Sequence, residues 1–137
     1  MNNRPYPYNA DQEAWLRDLE TTEEPQVKEY LHISGGRSLK AGFCCLGRAC
    51  VVLGVKTTGK NDDLFVAYDG CDQVLTDPTI DRLLLRGTNG DFRDRWANGN
   101  SCLTDLNDRG MSFKEIAAYI RANPWNVFKD PEEQADG

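Results

Sequence analysis

The sequence has no segment suited to crossing a membrane or to directing export. Its longest apolar run, Ala49 to Gly54, is far shorter than the roughly 18 residues that a membrane-spanning helix needs. The first residues, Met1 to Asp11, have no basic region followed by an apolar stretch, which argues against a secretory signal. A chain of 137 residues with 28% charged side chains is typical of one ordinary domain. We therefore expect a soluble intracellular protein that has no membrane partner.

The sequence also lacks the short motifs of common catalytic and nucleotide-binding sites. It has no G-x-x-x-x-G-K-[ST], G-x-G-x-x-G, H-E-x-x-H or G-x-S-x-G segment. The single histidine, His32, has no acidic residue beside it, so a Cys–His pair would depend on tertiary proximity. We therefore assign no catalytic residue and expect no cofactor.

The cysteines are odd in number and contain no C-x2-C pair, the usual spacing of zinc ligands. Disulfides are rare in intracellular proteins. The sequence therefore predicts that the cysteines pack in the interior and that no metal is bound. They are Cys44, Cys45, Cys50, Cys71 and Cys102.

The net charge of −6 lies mostly at the two ends of the chain. Residues 1–25 hold two basic and six acidic side chains, and residues 129–137 hold one basic and four acidic side chains. Phosphate backbones are bound by clustered Lys and Arg, so this distribution excludes direct nucleic-acid binding. We predict an N-terminal arm (1–8), one globular domain (9–128) and an acidic tail (129–137).

Apolar spacing and capping residues predict four helices. A further short helix is predicted over Ser101–Arg109. Asn9 is expected to cap the first helix, and Asp77-Pro78 to start another with Asp77 as N-cap. Ser112 and Glu115 form a capping-box pattern, with Pro124 expected to mark that helix's end. In chain order, the four helices are one capped by Asn9, Phe43–Leu53, one that starts at Asp77, and Ser112–Ala122.

Strand signals are fewer. Leu64–Tyr68 has strand composition, Asp69-Gly70 is a strong turn signal, and Gln73–Leu75 is the expected partner strand. Val55–Asn61 reads as a turn, and Gln26–Ile33 stays ambiguous between a strand and a short helix. The fold class is α+β, with about four helices packed with a short antiparallel sheet or hairpin. The expected core comprises Trp15, Phe43, Leu46, Leu83, Leu106, Phe113, Ile116 and Ile120.

The loop Thr88–Asn100 supplies the candidate binding residues. Its segment Asp91–Trp96 combines arginine and aromatic side chains, which anchor protein interfaces and also suit a nucleotide base. An alternative is that its Phe and Trp pack inward. We expect alanine at Arg95 and Trp96 to weaken binding by about 2 kcal/mol. The predicted binding residues are Phe92, Arg93, Arg95 and Trp96, and the next to test are Arg48 and Asp69.

Four segments occur together in a characteristic order: Trp15–Leu19, Gly42–Cys50, Tyr68–Gly70 and Leu103–Ala117. Together they resemble a family of small proteins encoded by bacteriophages and prophages. That family shares an FCCLG…C segment, a YDG…LP segment and a closing L-x-x-LND-x-G-x-SF-x-x-IA-x-x-I segment. The resemblance runs from about Trp15 to Asn123.

The chain departs from this family pattern at two places. Thr76-Asp77-Pro78 follows Leu75 where the family tends to have proline at once, and the Phe92–Asn100 loop is longer. The resemblance implies a phage origin and an α+β fold. It implies no mechanism, because the family has no assigned activity.

These observations favour a function by binding. We predict a phage-encoded, non-enzymatic accessory protein of the host cytoplasm that binds and inhibits a host protein, for example one used in defence. One alternative is a sponge that sequesters a small nucleotide signal through Arg93, Arg95 and Trp96. Another is an enzyme that uses Cys45 or Asp69.

Overall fold

Six helices and a four-stranded sheet make up the part of the chain that the computed structural model describes, residues 4–35, 40–61, 65–94 and 101–132. This confirms the predicted α+β class. The helices are α1 (Ala10–Thr21), α2 (Cys45–Val52), α3 (Asp77–Leu83), α4 (Leu103–Asp108), α5 (Phe113–Ala122) and α6 (Pro124–Val127). The strands are β1 (His32–Ile33), β2 (Gly42–Phe43), β3 (Thr57–Asn61) and β4 (Phe65–Tyr68), in the antiparallel order β2-β1-β4-β3.

The predicted caps of α1 and α5 are confirmed. Asn9 accepts a hydrogen bond from the Gln12 N–H at 2.7 Å, and the Gln12 side chain accepts one from the Asn9 N–H at 2.8 Å. Ser112 and Glu115 make the same reciprocal pair at 3.1 and 2.9 Å. Each pair satisfies backbone donors that a helix start leaves free.

In the described ranges, no helix is long and apolar enough to span a bilayer.

Three helix boundaries differ from the predicted ones. Phe43 lies in β2, and α2 begins at Cys45, because Cys44 is extended and its sulfur accepts a hydrogen bond from the Gly47 N–H. Thr76, not Asp77, is the N-cap residue of α3, which places Pro78 within the first turn. Pro124 starts α6 instead of only ending α5, since proline suits the first helical position.

The sheet was predicted in part. The turn at Asp69-Gly70 is confirmed, with positive φ at both residues, as a two-residue hairpin loop requires. The predicted partner strand Gln73–Leu75 is wrong, because β4 pairs instead with β1 and β3. The predicted turn Val55–Asn61 is also wrong, since most of it forms β3.

The core lies between the helices and the sheet. Seven of the eight predicted core residues are buried, and Phe43 packs partly buried against them. At the ends of the described chain, the Tyr6 hydroxyl donates to the carbonyl of Lys129 at 2.6 Å. The Lys129 N–H in turn donates to the Leu84 carbonyl at 2.7 Å. Residues near both ends are therefore packed on the domain.

Candidate functional site

Phe92, Arg93 and Asp94, which we call the loop base, are the last described residues of the predicted binding loop before position 95. Phe92 is buried, and its ring centroid lies 5.2 Å from that of Tyr119 on α5. Phe92 thus packs inward, as the alternative interpretation of this loop proposed for its phenylalanine. The predicted binding residues Arg95 and Trp96 lie outside the described residues.

Asn126, on α6, holds the backbone of the loop base. Its carbonyl accepts a hydrogen bond from the Arg93 N–H at 2.8 Å, and its side-chain oxygen accepts one from the Asp94 N–H at 2.7 Å. Its side-chain NH2 donates to the Asp94 carbonyl at 3.1 Å and to the Tyr119 hydroxyl at 3.1 Å. One asparagine therefore fixes the backbone of two consecutive residues, Arg93 and Asp94, against α5 and α6.

The Arg93 side chain is accessible on this fixed backbone. It is 42% exposed, and its Nε and Nη2 donate to Oδ2 of Asp94 at 3.0 and 2.9 Å. Asp94 is 70% exposed. An exposed pair of this kind contributes little to stability. The Arg93 guanidinium can therefore change partners at low cost.

Arg48, the next predicted binding residue, is held inside the fold. It is 8% exposed, and its Nε and Nη2 donate to the two Asp18 carboxylate oxygens at 2.8 and 2.7 Å. Its guanidinium also lies 4.7 Å from the centroid of the Phe43 ring. The bond to Asp18 raises the pKa of Arg48 above its ordinary value. Arg48 thus joins α1 to α2 as a permanent cation.

Asp69, the last predicted binding residue, stabilises the hairpin turn in which it lies. It has a φ of 52°. Its carboxylate accepts a hydrogen bond from the Thr76 hydroxyl at 2.7 Å, and its N–H donates to the Lys56 carbonyl at 2.9 Å. Asp69 therefore ties the hairpin turn to the residue that precedes α3.

Sequence reasoning missed a stack of rings that crosses the sheet. The His32 ring lies 4.0 Å from Phe43, and its Nδ1 lies 2.9 Å from the Tyr68 hydroxyl. Burial raises the pKa of Tyr68 to about 12, so this hydroxyl stays protonated at neutral pH. The three rings come from three strands that are separated in the sequence, so no local sequence pattern predicts their stack. The stack engages His32 with a neutral phenol.

Three buried cysteine thiols are poorly suited to nucleophilic chemistry. Burial raises the pKa of Cys45 well above its ordinary value, and it raises that of Cys44 to about 11 and that of Cys50 to about 12. Because the thiolate is the nucleophile, these groups are unreactive near neutral pH. Over the described ranges, no three His, Cys, Asp or Glu side chains are grouped to hold a metal ion.

An open groove of about 440 Å³ is lined in part by Asn89, which belongs to the predicted loop Thr88–Asn100. The Glu29 N–H at its edge donates to Oδ1 of Asp108 at 3.0 Å, and Glu29 has a φ of 70°. Sequence reasoning did not find this groove, because its lining comes from separate segments. The lining residues are Glu29, Gln73, Val74, Asn89, Thr104 and Asp108.

Motif residues that carry the phage resemblance have structural roles. A Cβ on Gly47 would overlap the Leu31 carbonyl oxygen, so only glycine fits there. Asn107 is buried and bonds to two separate segments, one at Gln26 and Val27 and one at Cys45. Comparison of the chain with protein-family models, curated proteins and solved structures gives no match.

Proposed function

We propose that this chain is a phage-encoded accessory protein that binds and inhibits a host protein in the host cytoplasm, without catalysing a reaction. The loop base is proposed as part of its contact surface. The observation that carries the proposal is that Asn126 fixes the backbone of Arg93 and Asp94 while the Arg93 side chain stays accessible. The resemblance to phage proteins supports the proposed origin.

A fixed backbone favours binding because less conformational freedom is lost when a partner docks. Asn126 belongs to α6, and the next residue of this helix, Val127, is fully buried. Tyr119, the other contact of the Asn126 side chain, belongs to α5. The loop base is thus attached to two helices.

The proposed anchor is the Arg93 guanidinium. Arginine is enriched among the residues that dominate binding energy, and it pairs with carboxylates through two parallel hydrogen bonds. In the free protein its Nε and Nη2 both bond to a single oxygen of the neighbouring Asp94. A partner carboxylate that meets the guanidinium with both oxygens would give better geometry. We therefore expect an acidic side chain of the host protein at this position.

The enzymatic alternative has less support. Burial keeps the Cys45 thiol protonated near neutral pH, which removes the nucleophile that this alternative requires. Asp69 accepts the Thr76 hydroxyl and closes a turn, a structural role that needs no reaction.

The proposal is tested by capture from a host lysate on immobilised protein, with mass spectrometry of retained proteins and small molecules. Three forms are compared: the wild type, Arg93→Ala, and Arg17→Ala as control. Arg17 is a 76% exposed arginine on α1. We expect one host protein to be retained equally by the wild type and the control, and at least about tenfold less by Arg93→Ala. Stoichiometric addition of the wild type should then inhibit that host protein.

Three results would contradict the proposal. Retention of a nucleotide in place of a protein would favour the sponge. Equal retention by Arg93→Ala would place the contact surface elsewhere. A host protein that is captured but keeps full activity when saturated would refute inhibition.

A further inference from the structure

Helix α6 has only four residues, Pro124–Val127, and a helix this short is not stable without its neighbours. One neighbour is the loop base, which Asn126 holds. Another is the N-terminal segment Arg4–Tyr8. The positions that meet these two neighbours, Trp125 and Asn126, are consecutive.

The N-terminal segment contacts Trp125 in three ways. The Trp125 indole N–H donates to the Arg4 carbonyl at 2.9 Å, and the Arg4 guanidinium lies 5.0 Å from the centroid of the indole ring. The Tyr6 ring packs edge-on at 4.8 Å. The Tyr6 hydroxyl also bonds to the carbonyl of Lys129, just after α6. The segment thus covers α6 and the residues that follow it.

We infer that the N-terminal segment sets the position of the loop base through α6, so that the two sites are coupled. Release of Arg4 and Tyr6 removes contacts from Trp125, and the adjacent Asn126 then holds Arg93 and Asp94 less firmly. Coupling between two sites is reciprocal, so a ligand on the loop base would tighten the N-terminal segment. The inference does not depend on the proposed function, because the coupling exists without a partner.

The charges around Arg4 make this coupling sensitive to salt. Its Nη2 lies 3.6 Å from the Asp130 carboxylate, and its Nη1 lies 3.8 Å from that of Glu132. Partly exposed pairs are screened as ionic strength rises. The attachment of the segment should therefore weaken as salt is added.

The test is hydrogen exchange followed by NMR on the full chain. The double variant Arg4→Ala/Tyr6→Phe removes the guanidinium and the hydroxyl and keeps the ring that packs on Trp125. Exchange of the Trp125 indole proton reports release of the segment, and the Arg93 and Asp94 amides report the loop base. We expect each of these protons to exchange about fivefold faster.

Two controls separate coupling from a general loss of stability. The Ile116 amide, which donates to Ser112 in α5, should exchange at the wild-type rate. Arg17→Ala should leave every one of these protons unchanged, and restoring the cation as Arg4→Lys/Tyr6→Phe should recover part of the protection.

Three outcomes overturn the inference. In the first, the indole proton exchanges faster while the Arg93 and Asp94 amides do not, which would mean that the segment and the loop base are independent. In the second, the indole proton keeps its protection, which would mean that Arg4 and the Tyr6 hydroxyl do not hold the segment. In the third, the Ile116 amide accelerates equally, which would mean that the whole fold has loosened. None of these readouts uses a binding partner, so failure here is distinct from failure of the proposed function.

Discussion

The side chain of Asn107 caps the start of α2, because its Oδ1 accepts a hydrogen bond from the Cys45 N–H at 3.1 Å. The same oxygen accepts a bond from the Gln26 side chain at 2.8 Å. The NH2 group donates to the Val27 carbonyl at 2.8 Å. One buried amide on α4 therefore joins the first turn of another helix to the segment that precedes β1.

Replacing this amide should destabilise the fold strongly. Asn107→Ala leaves the Cys45 N–H and the Val27 carbonyl without these partners, and each unsatisfied buried group costs about 1–3 kcal/mol. We expect a loss of about 2–4 kcal/mol in the free energy of unfolding, measured by urea denaturation. Gln73→Ala, at an exposed amide, should change it by less than about 0.5 kcal/mol. A loss below about 1 kcal/mol for Asn107→Ala would show that water or neighbours replace the lost bonds.

Glycine at position 47 should be indispensable for a steric reason. A Cβ there would meet the Leu31 carbonyl oxygen, and backbone atoms cannot move aside as a flexible side chain does. Gly47→Ala should therefore lower the free energy of unfolding by more than about 3 kcal/mol or prevent folding. Gly110→Ala is the comparison, since position 110 has a φ of 96° and, among the described residues, open space where a Cβ would lie. Its strain is about 1–2 kcal/mol, and the reverse order of the two losses would contradict the steric argument.

Thiol labelling should distinguish Cys71 from the four buried cysteines. Cys71 is half-buried, whereas burial raises the pKa of Cys44, Cys45, Cys50 and Cys102. Iodoacetamide at pH 8 should label Cys71 first in the native protein and all five cysteines after denaturation, as read by mass spectrometry. Cys71→Ser should abolish the early labelling. Rapid native labelling of Cys45 would instead revive the enzymatic alternative.

The capping box of α5 should make stability depend on acid pH. Hydrogen bonds from Ser112 lower the pKa of Glu115 below its ordinary value of 4.5. A carboxylate whose pKa is lowered by folding stabilises the folded state above the unfolded-state pKa, and this contribution is lost as pH falls through the folded-state pKa. The Tm of the wild type should exceed that of Glu115→Gln near pH 7, and the difference should vanish below the folded-state pKa. A Tm difference that stays constant across this range would exclude the carboxylate as its source.

The parts of the fold with strong local signals were predictable. The cap residue Asn9 marks α1 and the Ser112–Glu115 capping box marks α5, because each signal lies within a few residues of the helix start. By contrast, β3 has the composition Thr-Thr-Gly-Lys-Asn, which favours a turn, and it becomes a strand by pairing with β4. Phe43 has helical spacing to Leu46 and Cys50, yet its pairing with His32 places it in a strand. Tertiary pairing decided both cases.

The candidate site divides in the same way. Arg93 could be singled out as a candidate binding residue from its type and its loop, and its role in binding stays a prediction. The contribution of Asn126 was not, because its side chain bonds to a residue 32 positions away in the sequence. Arg48 was singled out for its charge, but the sequence did not reveal that Asp18, 30 positions earlier, accepts hydrogen bonds from its Nε and Nη2.

The contact between segments far apart in the chain has a consequence for synthesis on the ribosome. The bond from Tyr6 to Lys129 spans 123 positions. The ring centroid of Phe128 lies 6.4 Å from that of Trp15 on α1. Because translation proceeds from the N-terminus, the apolar face of α1 emerges long before Phe128 exists to cover it. The part of the core around Trp15 therefore closes only after Phe128 has left the exit tunnel. A chain released early, before position 128, would leave this side of Trp15 uncovered and open to aggregation.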